Sequence, residues 1–169
     1  MRTAVLSYLG LLISLAVARF FPQLSFIPYL YMSFPIIFLS DSRLGFGNYK
    51  KGLLWGSVFL PGLILFPPDL IGWKVVASQA GIAFIEEIFF RAYLMRELGN
   101  FWTSLLFSGA HMINFPGVNS VLVFFPSLIF GYAYLRSGSI VAPWLLHWTS
   151  NLIYLSFQKK FPELYHFFN

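Results

Sequence analysis

A chain of 169 residues is long enough for one domain around a single core. Of these residues 58% are hydrophobic and 10% are charged, with mean hydropathy +0.72; a soluble domain carries about 25% charged residues, so a water-facing surface is excluded and lipid is the solvent that fits. The net charge of +5 does not mark a nucleic-acid binder, because the basic residues (Arg19, Arg43, Lys50 and Lys51, Lys74, Arg96, Arg136, Lys159 and Lys160) stand singly or in pairs between apolar stretches, as topology determinants and headgroup anchors do.

A membrane-crossing helix needs about 20 apolar residues, fewer where it is partly covered by protein. On that basis the chain divides into about seven segments. The first, 3–20, follows Arg2 and also resembles a secretory signal, with Ala16-Val17-Ala18 as its cleavage site; the preferred reading is an uncleaved first helix. The second, 26–40, is short and holds Pro28 and Pro35, and the third, 53–66, contains Pro61-Gly62 and is expected to be kinked or partial. The remaining segments are 72–98, 101–113, 119–136 and 140–158, followed by an interfacial tail at 159–169. No repeat or linker divides the chain.

The polar stretch 41–52 carries Arg43, Lys50 and Lys51, which places it, and the N-terminus, on the cytoplasmic side. Loops 67–71 and 112–118 then fall outside and carry no basic residue, while Arg96 and Arg136 fall inside. Lys159 and Lys160 fall outside against the rule, which points to one short segment that does not span.

Chemistry concentrates in the second half. Glu86-Glu87-Ile88-Phe89-Phe90-Arg91 stands in mid-segment, where each charge costs roughly 3 kcal/mol on insertion scales. Glu87 and Arg91 share a helix face at i,i+4 and can pair, whereas Glu86 is turned about 100° away; the bland alternative is an ion-pair knot that fixes packing. Phe107-Ser108-Gly109-Ala110-His111 places a histidine beside small residues that admit another backbone. On its own, such a histidine is more often a packing residue. His147-Trp148-Thr149-Ser150-Asn151 presents a histidine and an asparagine on one face, which suits either an oxyanion or an interhelical hydrogen bond. Together the three supply a base, a partner to orient it and oxyanion donors, the parts for amide hydrolysis by water.

At these residues the chain resembles the CPBP family of intramembrane proteases, which includes CAAX-prenyl endopeptidases and bacteriocin-processing proteins. The family pattern EExxxR, FxxxH, HxxxN/D reads here as Glu86-Glu87-xxx-Arg91, Phe107-xxx-His111 and His147-xxx-Asn151, and the approach 131–143 is also similar. The resemblance covers roughly 81–153 of a single protease domain, 1–169. It implies an all-α, multi-pass bundle of about 6–7 membrane helices around a polar intramembrane cavity. It implies that Glu86 with His111 activates water, that His147 and Asn151 stabilise the oxyanion, and that Glu87, Arg91 and Phe107 support the site.

No cofactor is expected. The zinc alternative would use Glu86, His111 and His147, but HExxH is absent and asparagine is a poor zinc ligand. Expected partners are the lipid bilayer, in a prokaryotic cytoplasmic membrane, and a protein or peptide cut near it: a prenylated CAAX tail, a bacteriocin leader, or a C-terminal sorting tail as in the myxosortase-like branch. The competing reading is a non-enzymatic immunity factor or proton-coupled carrier, whose carboxylates and histidines would relay protons.

Overall fold

The computed structural model describes residues 2–40 and 44–163, and among them every regular element is helical. Asp41 to Arg43, on which part of the cytoplasmic assignment rests, and the tail from Leu164 lie outside the described residues. The first helix, α1, runs Arg2–Phe20 without a proline. The prolines then set the rhythm. Helices α2 (Ile27–Met32) and α3 (Pro35–Phe38) carry Pro28 and Pro35 in their first turns, where the missing N–H has no partner to lose. Helix α4 (Tyr49–Gly56) passes through a 3-10 turn, Ser57–Phe59, and α5 (Gly62–Leu65) begins just after Pro61. The kinked or partial third segment is therefore a chain of short pieces.

Helix α6 (Trp73–Glu87) continues as a π-helical stretch, Ile88–Leu94. Helix α7 (Met95–Asn114) is interrupted at Gly99, whose φ of 75° and ψ of 171° belong to a region open essentially to glycine. That break turns the chain back and separates the fourth and fifth expected segments. Helices α8 (Val118–Leu122) and α9 (Phe124–Ser137) are nearly continuous, and α10 (Val141–Lys160) closes the fold.

Helix α10 packs on α4, α6 and α9, while α7 packs on α9, the π-helical stretch and α1. One apolar cluster joins Leu11 of α1 to Phe89, Phe90, Leu94 and Phe107; another joins Phe130 and Ala133 of α9 to Ala142 and Leu146 of α10. At one end of the bundle Thr3 donates to Glu97 and the Ile140 amide to the Gly45 carbonyl. At the other, Arg19 donates to the Ile113 carbonyl and Lys160 to that of Leu65. Lys159 and Lys160 thus lie at the end opposite Arg96 and Arg136, the same imbalance that the charge rule meets.

The distribution of polarity is inverted relative to a soluble protein. Leu6, Ile37, Leu54 and Ile64 are 66%, 86%, 71% and 83% exposed, while Glu87, Arg91, Thr103, Ser127, His147 and Thr149 are buried. An exterior of this kind is stable only against lipid. Two helices, Arg2–Phe20 and the combined Val118–Ser137, are each long and apolar enough to cross a membrane by themselves.

Candidate active site

The site is assembled by the docking of α10 against α6. Trp144 donates its indole N–H to the Ala80 carbonyl at 2.9 Å, and Trp148 donates to that of Val76 at 3.0 Å. Positions 144 and 148 are one turn apart, as are 76 and 80, so the two helices run antiparallel in fixed register. The stacked indoles, 6.1 Å apart and 8° from parallel, stiffen that seam. The register sets His147 opposite the paired glutamates and Asn151 opposite Gln79.

The two adjacent carboxylates are treated differently. Glu87 is fully buried, accepting from Arg91 Nε at 2.9 Å on one oxygen and from His147 Nδ1 at 2.8 Å on the other. Arg91, equally buried, also donates from Nη2 to Ser127 Oγ of α9 at 2.7 Å. Its guanidinium lies 5.6 Å from the centre of the Phe107 ring, a cation–π distance; Nη1 has no hydrogen-bond partner among the described residues. Glu86 keeps 14% of its side chain exposed, and its Oε2 stands 3.6 Å from His147 Nε2, too far for a direct hydrogen bond. Although about 100° apart on α6, both glutamates reach the same imidazole, one at each nitrogen.

A carboxylate only accepts, so the bond to Glu87 places a proton on His147 Nδ1 and turns Nε2 towards Glu86. Phe130 stacks on that imidazole at 5.2 Å. His111 is oriented by the same logic: its Nδ1 is 2.9 Å from the Phe107 carbonyl, which assigns a proton to Nδ1. Phe107 is buried rather than lipid-facing, with its ring 4.4 Å from His111 and 5.5 Å from His147. This single ring therefore touches residues of all three motifs. The neighbour that Gly109 admits is Tyr8 of α1, whose hydroxyl donates to the Leu106 carbonyl at 2.7 Å. Asn151 donates from Nδ2 to Gln79 Oε1 at 2.9 Å.

Gln79, Ser127 and Phe130 were not among the residues singled out from sequence. Each had a faint signal: Gln79 is a polar residue seven positions, nearly two turns, before Glu86 in an apolar helix, and Ser127 with Phe130 lies on one face of α9.

Among the described residues no three His, Asp or Glu side chains are disposed to hold a metal, and Glu86, His111 and His147 do not form such a set.

Among known proteins, no curated protein matches this chain significantly, and no solved structure does. A family model described as Type II CAAX prenyl endopeptidase Rce1-like matches residues 68–153, just over half of the chain, and takes in every motif residue above. The protein belongs to this Rce1-like family of membrane-embedded CAAX-type proteases.

Proposed function

We propose that this protein is a glutamate-type intramembrane endopeptidase that hydrolyses a peptide bond close to the membrane in a prenylated, CAAX-type tail, with Glu86 as general base. The observation that carries the assignment is the unequal environment of the two glutamates. Glu87 has both oxygens occupied by Arg91 and His147 and is fully buried, while Glu86 is outside that pair and part-exposed. A group already holding a close ion pair is a poor proton acceptor; its less tightly held neighbour is the better one.

In this reading Glu86, with His111, takes a proton from a water that attacks the scissile carbonyl carbon. The new C–O bond places the carbonyl electrons on the oxygen, where His147, as an imidazolium carrying a proton on Nε2 as well as on Nδ1, and Asn151 through its amide N–H stabilise them. Collapse breaks the C–N bond, and the proton carried by Glu86 passes to the departing amine. The 3.6 Å between Glu86 and His147 leaves room for a reacting group held by both. Glu87, Arg91 and Phe107 hold the two imidazoles in place, and all partners other than the bilayer are substrates.

The test is cleavage of an internally quenched, farnesylated CAAX peptide by purified protein in detergent or nanodiscs. Glu86→Gln is expected to lower kcat by about 10²–10⁴-fold while the protein inserts and unfolds as the wild type does. Full activity in that variant would remove Glu86 from the role of base. Cleavage abolished by phenanthroline and restored by zinc would overturn the metal-independent mechanism. A bacteriocin leader or a sorting tail cleaved in place of the CAAX peptide would reassign the substrate and leave the mechanism standing.

A further inference from the structure

Glu86 is not alone on its face of α6. Gln79 lies seven residues earlier, and seven residues at 100° each return to within about 20° of the same direction. Facing this pair on α10 are His147 and Asn151, one turn apart. The antiparallel register fixed by the two tryptophans joins the pairs end to end: Glu86 to His147 and Gln79 to Asn151. The Gln79–Asn151 bond, 2.9 Å long and partly buried, is the only one of these contacts between two uncharged side chains.

We infer that Gln79 is a positioning residue that sets which way the Asn151 amide points. An asparagine amide is nearly symmetric in shape but not in chemistry, since one end donates and the other accepts. Gln79 presents its carbonyl oxygen to Asn151, so the Asn151 NH2 end is held towards α6, with one N–H spent on Gln79 and, on this inference, the second available to the reacting oxygen. The opposite orientation would turn the Asn151 oxygen that way, and an oxygen repels an oxyanion. A donor fixed before the reaction costs no reorientation when charge develops, which is where such groups gain their effect.

This inference rests on the reading of Asn151 as an oxyanion donor, and the variants separate the two. Gln79→Met keeps the length and removes the acceptor; Gln79→Glu keeps an acceptor oxygen in either protonation state. With the farnesylated peptide, Gln79→Met is expected to lower kcat between about tenfold and a hundredfold, with KM changed by less than about twofold. Gln79→Glu should keep most of the wild-type kcat. In an Asn151→Ala background Gln79→Met should have no further effect, a non-additivity that a purely structural role would not produce. Independently of any substrate, the Asn151 side-chain amide resonances of isotope-labelled protein should shift in Gln79→Met and hold in Gln79→Glu. If Asn151→Ala loses activity while Gln79→Met does not, or if the resonances stay fixed in Gln79→Met, the inference on Gln79 is overturned and the oxyanion reading survives. If Asn151→Ala is fully active, the oxyanion reading fails and takes the inference with it.

Discussion

At the scale of single residues, the interior is organised by one buried ion pair. Glu87 and Arg91 are both at zero exposure, and such a pair is held only where its remaining hydrogen-bonding capacity is also met. His147 and Ser127 meet most of it. Removing one partner strands the other charge. Arg91→Ala is therefore expected to destabilise the protein by about 3 kcal/mol, at the low end of the usual range because His147 still serves one Glu87 oxygen. Thermal unfolding in detergent measures this. Glu86→Gln, at a part-exposed carboxylate outside the pair, should by contrast leave the unfolding midpoint within about a degree or two of wild type. Equal destabilisation by the two variants would contradict the division of labour between the glutamates.

At the scale of elements, the site depends on how closely α4, α6 and α10 approach. Gly52 and Gly56, one turn apart and buried on α4, face α10. A methyl group at Gly56 would meet Leu145 Cβ at 2.7 Å, and one at Gly52 would meet Ser139 Oγ at 2.6 Å. This is the small-residue packing of membrane helices, used here within one chain. Gly56→Leu should overpack the contact and cost about 1–3 kcal/mol. Gly81 on α6 has nothing within 4 Å of an added Cβ, so Gly81→Ala should gain about 0.5–1 kcal/mol from backbone entropy. Opposite signs in the two unfolding shifts are the expected result. The spacing of Gly52 and Gly56 was present in the sequence but lies in a polar stretch at the start of a short segment, where it does not advertise a packing face.

At the scale of the whole molecule, the exterior is what identifies the solvent. Ile129, near the middle of Val118–Ser137, is 47% exposed with apolar neighbours. Ile129→Lys places a charge against lipid and should raise the apparent insertion free energy of that segment by about 3 kcal/mol. A translocon insertion assay reads this directly, and unchanged insertion would argue that the helix is not a membrane span. The bundle also shows why the traversal pattern is hard to count from hydropathy. Pieces such as α2, α3 and α5, each set off by a proline, are four to six residues long, too short to register as separate spans, although Ile37 and Ile64 on them are exposed.

What the sequence determined by itself was the class of solvent, the helical character of the chain and the three motifs, because composition and i,i+4 spacing are local properties. The Glu87–Arg91 pairing was legible for that reason. The partners across helices were not: that His147 stands between both glutamates, that Phe107 lies inside among all three motifs, and that Asn151 leans on Gln79 follow from the antiparallel register of α6 and α10. That register is set by two indole N–H bonds to backbone carbonyls, contacts between residues more than sixty positions apart. No local period encodes such contacts, because they exist only once the helices are packed.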